Sequence, residues 1–291
     1  MKKLLKKILL SCVFLSTILA FSPVFAEVEA VLGSPLNKNE SLVLELPKIS
    51  APEIILSREQ YIISYNKVRR APNWAAWKLE LNQFGDSGRS NDFAVDTELK
   101  NYLDKKEGNK TAVDPEDYRR SCYDRGHQTP SADRTNTEAN NQTTFLMSNM
   151  IPQTAYLNRV VWEHLEAYSR SLVKLQGKKL YIIAGPIYDK DLGSIGPDKD
   201  IPVPSKNFKI IFILNADQSF SDISASTEKI AVVMPNIYQD GTAPGKSPSD
   251  NCPNIDTNHE DKNDWIKYKT TIDVIEKSSG ISFSYAHNTI K

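Results

Sequence analysis

The chain has 291 residues, 40% of them apolar and 25% charged, with 36 basic and 36 acidic side chains. That composition excludes a wholly disordered chain and leaves room for one large domain or two small ones. Balanced charge also excludes binding of nucleic acid through bulk positive charge, so any such contact must be local.

The chain opens on a segment with its own logic. Lys2, Lys3, Lys6 and Lys7 make a basic start, Ile8 to Phe21 is apolar and uncharged, and Val24-Phe25-Ala26 offers small residues for cleavage. This reads as a secretory signal over residues 1–26. An uncleaved anchor is the alternative, but the apolar run of about 14 residues is short of the roughly 20 that a span requires. Loss of its four lysines leaves 32 basic against 36 acidic residues, a net charge of −4. Export permits a disulfide between the two remaining cysteines, Cys122 and Cys252; two separate buried thiols are the alternative.

Residues 27–57, rich in Pro, Asn, Ser and Glu, read as an N-terminal arm or leader, and residues 58–291 as one domain without internal repeats. Tyr61 to Tyr65 and Trp74 to Leu79 have strand character. Lys179 to Pro186, Phe208 to Leu214 and Lys229 to Met234 read as buried strands, the first stopped by Gly185-Pro186. Between them, Asn158 to Leu175 lacks Pro and Gly. Leu157, Val161, Leu165, Tyr168, Leu172 and Leu175 recur at helical spacing, and Gly177 is a natural stop. At roughly 100° per residue, Asn158, Glu166 and Arg170 fall along one edge of that helix. Trp265 to Lys277 reads as a strand running into a short helix near Ile275. Without βαβ alternation, the order of elements predicts an α+β fold with a mainly antiparallel sheet.

The chemistry concentrates between residues 123 and 170. His127 follows Arg125-Gly126, and its unperturbed pKa of about 6.5 suits proton abstraction near neutral pH. The Asn158 carboxamide oxygen is a hard ligand of the type magnesium accepts. Glu166 and Arg170 form either a plain i,i+4 ion pair or a carboxylate that orients metal-bound water beside a phosphate-facing guanidinium. His164, His259 and His287 have no comparable neighbours and read as surface or packing residues. No HExxH, CxxC pair, GxxxxGK[ST] or GxSxG occurs, which excludes zincins, zinc ribbons, P-loop enzymes and elbow-type serine hydrolases. An imidazole, a metal-seating amide and arginines together suit phosphodiester cleavage.

The run Tyr123 to Asp133, YDRGHQTPSAD, resembles the DRGH motif of the DNA/RNA non-specific endonucleases. Thr144 to Gln153, the helix residues Asn158-Arg159, Trp162, Leu165 and Glu166, and then Ala184-Gly185-Pro186, Val203-Pro204 and Val233-Met234-Pro235-Asn236 follow in that family's order. The resemblance covers residues 58 to 290. It implies a ββα-metal finger on the antiparallel sheet. It places the general base on His127, the magnesium ligand (manganese being the alternative metal) on Asn158, and further site residues on Arg125, Asn149, Glu166, Arg170 and, by a looser alignment, Arg89. Gln128-Thr129 departs from the family's apolar or small residues. The implied activity is metal-dependent hydrolysis of DNA and RNA to 5′-phosphate products; the signal segment adds a secreted or periplasmic location, and an inhibitor protein is a further candidate partner. A catalytically dead nucleic-acid binder and a phosphodiesterase for smaller substrates are the alternatives on the same fold.

Overall fold

β-Branched and aromatic runs build one seven-stranded sheet, covered on both faces. The computed structural model describes residues 27–34, 46–108, 112–198, 200–244, 252–258 and 260–283, so the expected signal segment lies outside the described residues. The chain forms β1 (Val28–Gly33), β2 (Lys48–Ile49), β3 (Glu53–Ser57), β4 (Ile62–Asn66), β5 (Ala71–Leu79) and helix α1 (Thr97–Glu107). Next come β6 (Asp124–His127), α2 (Glu138–Thr143) and β7 (Met150–Gln153). A π-helical turn at Leu157–Val161 then leads into α3 (Trp162–Gln176). The rest comprises β8 (Lys179–Ile187), β9 (Ser194–Ile195), β10 (Ile201–Pro202), β11 (Lys206–Leu214), β12 (Lys229–Pro235), α4 (Ile272–Ser279) and β13 (Ile281–Ser282).

The main sheet runs β1-β3-β4-β5-β8-β11-β12. Only β1 and β3 pair in parallel; the other neighbours are antiparallel, and the class is α+β as the sequence predicts. Strand alternation sorts the core into two layers. Trp77, Leu79, Leu180, Ile182 and Ile211 share one layer with Trp162 and Leu165 of α3. Trp74, Tyr181, Phe208 and Ile210 share the other with Ile272 and Ile275 of α4. Each fully buried Ile or Leu contributes about 1.5–3 kcal/mol, so α3 is anchored chiefly by its apolar stripe. Gly177 ends α3 at φ 65°, with its N–H and that of Lys178 donating to the last-turn carbonyls, the left-handed cap that favours glycine.

Three expectations are corrected. The sheet starts ahead of residue 58: all five residues of β3 are buried between β1 and β4, so part of the expected arm is sheet. Trp265 lies in a 3-10 turn, Asp264–Tyr268, rather than a strand, and only Lys269 bridges β12; burial of Trp265 at 2% exposure, not sheet pairing, sets that segment. Leu175 is 83% exposed, so the α3 stripe ends at Leu172 and Val173. Cys122 and Cys252 are joined in a disulfide across 130 residues, which decides between the two readings of the cysteines.

A second, two-stranded sheet carries the motif. β6 and β7 pair antiparallel, with Gly126 opposite Ile151 and His127 opposite Met150, over a small core of Val113, Tyr118, Tyr123, Met147 and Met150. Together with α3 they form the ββα finger. Glycine is required in β6 because a Cβ at 126 would stand 2.5 Å from Cγ of the fully buried Gln153. Gly126→Ala is expected to destabilise the protein by about 1–3 kcal/mol through overpacking, read as a lower denaturation midpoint. An unchanged midpoint would show that Gln153 yields freely.

Candidate active site

The strand that carries His127 is held from behind. Asn149, fully buried, donates through Nδ2 to the carbonyls of Thr129 and Thr144, both at 2.9 Å, and accepts from the Thr129 N–H at 3.0 Å. Its own carbonyl accepts from the Gln128 N–H. Two of the three hydrogen bonds of the Asn149 side chain thus go to Thr129, in the turn that follows His127, and the third ties that turn to Thr144. The geometry makes it a positioning residue that fixes the imidazole's backbone.

His127 itself is 8% exposed and packs edge-on against Phe145, with ring centroids 4.8 Å apart, and against Phe93 at 5.6 Å. Burial in this aromatic surround, and then the positive charge of Arg89, push its pKa down to about 3; a hydrogen bond to the Arg125 backbone opposes them. The imidazole is therefore neutral across the physiological range. Its Nε2 is buried and has no hydrogen-bond partner. With the ring hydrogen bonded to the Arg125 carbonyl, the lone pair rests on Nε2.

Two arginines flank this base without a carboxylate partner among the described residues. Arg89 lies over the Phe145 ring at 4.9 Å and donates to Ser131 Oγ and Asn91 Oδ1, both at 2.7 Å. Its charge is felt by both His127 and Glu166. Arg125 lies over Phe93 at 4.7 Å and donates to the Pro115 carbonyl. Aromatic faces position both guanidiniums while leaving their charge uncancelled, as a phosphate grip requires.

The i,i+4 ion pair that one sequence reading allows is present between Glu166 and Arg170, but at 3.9 Å it is not the shortest contact of either. Glu166 accepts from Lys209 Nζ at 3.1 Å, while Arg170 reaches Glu163 at 3.1 Å and Asp133 at 3.5 Å. Burial pushes the Glu166 carboxyl above its usual range, and Lys209 and Arg170 pull it back. Lys209 is 1% exposed, with Nζ 4.0 Å from the Trp162 ring centre and 5.8 Å from that of Trp77. The sequence reading missed Lys209, although Phe208 to Leu214 carries the signal. On that strand 209 points the same way as Ile211, into the α3 layer.

The π turn sets Asn158. Its Nδ2 donates to Asp124 Oδ2 at 2.9 Å, and Arg159 grips the same carboxylate through Nε at 2.7 Å and Nη2 at 2.6 Å. The Asn158 Oδ1 accepts no hydrogen bond among the described residues. Asp124 is a second missed residue, visible in hindsight as the acid of DRGH. Asp124 and His127 stand at the two ends of the same four-residue strand, about 10 Å apart along β6. This donor set, an uncommitted amide oxygen beside a carboxylate, fits a hard, largely hydrated divalent cation. It does not fit a zinc cage: among the described residues no three His, Cys, Asp or Glu cluster suitably. Of the other histidines, His164 packs in the core with Nδ1 3.0 Å from Asp264, in keeping with a packing role, while His259 and His287 lie outside the described residues.

Comparison with known proteins gives a consistent picture. The family model described as DNA/RNA non-specific endonuclease matches residues 45–290. A nuclease of Nostoc sp. is 36% identical over 259 residues, covering 88% of this chain and 80% of its own length. A nuclease of Serratia marcescens is 25% identical over 252 residues, covering 84% and 80%. Mitochondrial endonuclease G of Bos taurus is 28% identical over 232 residues, covering 75% and 71%. The crystal structure of an EndoG/EndoGI complex, which addresses the mechanism of EndoG inhibition, superposes with a TM-score of 0.60 at 26% identity, covering 80% of this chain and 86% of that one.

The depressed His127 pKa makes a direct prediction. The unfolded chain takes up a proton below about pH 6.5, whereas the folded imidazole does so only near pH 3. Stability from this group is therefore complete above pH 6.5 and is lost as pH falls toward 3. The assigned His127 ring resonances are expected to stay in the neutral position from pH 8 to about pH 4.5, and His127→Ala is expected to flatten the acid limb of the melting temperature. A titration midpoint near 6.5 would contradict the burial argument.

Proposed function

This chain belongs to the DNA/RNA non-specific endonuclease family, and from that premise we propose that it is an exported, magnesium-dependent enzyme that hydrolyses DNA and RNA to 5′-phosphate products. The observation that carries this reading is the neutral, unpartnered Nε2 of His127, on the same short strand as the carboxylate that holds Asn158.

His127 takes the proton of the attacking water. Neutral at working pH, it accepts without first losing a proton of its own, and Phe93 and Phe145 keep bulk water from its ring faces. Arg89 holds a non-bridging oxygen of the scissile phosphate, with its side chain already ordered by Ser131, Asn91 and Phe145. Arg125 adds a second positive charge on the same flank. Asn158, steadied by Asp124, is the residue that would seat the cation; when bound, the cation supplies charge neutralisation on the departing oxygen. Glu166, held by Lys209, presents an ordered carboxylate to the waters of that site. None of these groups is arranged to read base edges, which supports cleavage without sequence preference.

Export is supported by the Cys122–Cys252 disulfide, which persists in oxidising compartments. No described helix is long and apolar enough to cross a membrane. The likeness to EndoG, solved in complex with EndoGI to explain its inhibition, supports a protein inhibitor as a further partner.

Relaxation of supercoiled plasmid in magnesium, with EDTA as control, tests the reading and separates it from a dead binder or a small-substrate phosphodiesterase. His127→Ala is expected to lose about 10²–10⁴-fold in rate while keeping its circular dichroism spectrum. Full activity in the folded variant would remove His127 from the chemistry. Asn158→Ala is expected to weaken cation affinity far more than Glu166→Gln; equal affinities by titration would reject Asn158 as the seat.

A further inference from the structure

Beside the Asp124 clamp lies a cleft of about 500 Å³ that the mechanism above leaves unused. One wall is the segment entering β6, with Arg120, Tyr123 and Asp124; the facing wall is Tyr238 and the stretch from Cys252 to Ile255. The Cys122–Cys252 bond ties the two walls together. The volume falls within the roughly 300–1,000 Å³ of small-ligand sites.

The lining is built for more than solvent. Tyr123 is 7% exposed, yet its hydroxyl is buried with no hydrogen-bond partner. Tyr238 stands near enough for the two phenols to influence each other electrostatically. Arg120 is exposed, holds a left-handed backbone at φ 55°, and makes no hydrogen bond or ion pair among the described residues. Aromatic faces suit a planar base, and a free guanidinium suits a phosphate.

Position completes the case. Water activated at His127 attacks phosphorus roughly in line with the departing oxygen. The departing side thus lies away from His127, and Asp124, at the far end of β6 from His127, lines the cleft. We propose that this cleft binds the nucleoside on the leaving-group side of the scissile phosphate, with Tyr238 as its stacking platform and Arg120 on the adjoining phosphate. This rests on the nuclease reading above. Stacking tolerates any base, so the subsite demands that a base be present without choosing which one.

The test uses an end-labelled single-stranded DNA with one abasic residue, cleaved by the full chain in magnesium. The bond just 3′ of the abasic residue lacks a base on the leaving side; the bond just 5′ lacks it on the other. Wild type is expected to cut the first about tenfold more slowly than the second. Tyr238→Ala is expected to raise KM on the intact strand about tenfold, with kcat little changed, and to erase the asymmetry. Tyr238→Phe retains the ring and is expected to retain both properties, and Arg120→Ala is expected to raise KM alone. Equal cutting at both bonds by wild type, or asymmetry that survives in a folded Tyr238→Ala, overturns the subsite. Failure of wild type to cut the intact strand sinks the nuclease reading itself.

Discussion

One carboxylate, that of Asp124, joins the two halves of the site. It takes a hydrogen bond from Asn158 and two from Arg159, so the strand that ends in the base is fastened at its other end to the helix that offers the amide oxygen. The separation of Asp124 from His127 is then set by the rise of β6, a quantity a strand can scarcely alter. A slip of one residue in the β6–β7 register would turn His127 to the opposite face. Gly126 under Gln153, and Asn149 behind the turn at Thr129, resist that slip. The π turn belongs to the same design: it gives the chain an extra residue where Asn158 must leave the regular helical spiral.

Charge is treated differently at the two ends of the site. Lys209 holds Glu166, and Arg170 lies among the carboxylates of Glu163, Asp133 and Glu166. Arg89 and Arg125 rest on phenylalanine rings, which order a guanidinium without neutralising it. Their charge stays available to a phosphate. Arg89 does a second task, because its field helps to keep His127 unprotonated. A protein without excess positive charge can in this way place a strong local field where it is needed, at little cost in reorganisation when substrate arrives.

Much of the scaffold is written in local sequence. The strands from Tyr61, Trp74, Lys179, Phe208 and Lys229 stand where their apolar runs predict, and Gly177 ends α3. The misses share one cause. Trp265 looks like strand because an isolated window cannot tell a tryptophan buried by packing from one paired in a sheet. Leu175 continues the helical stripe, but the core has already ended beneath it. β1 joins the sheet by pairing with β3, which itself pairs with β4, partners that a local window does not show.

By itself the sequence determined the kind of fold, the family and the short strand that bears His127, because these depend on side-chain periodicity and on neighbours in the chain. The tertiary structure alone decided which charges face one another. Lys209 reaches Glu166 across 43 residues and Asn158 reaches Asp124 across 34, and Tyr238 and Tyr123 line one cleft beside a disulfide that spans 130. Electrostatic and hydrogen-bond energies fall off with distance in space, not with separation along the chain, so they exist only once the sheet has brought those residues together.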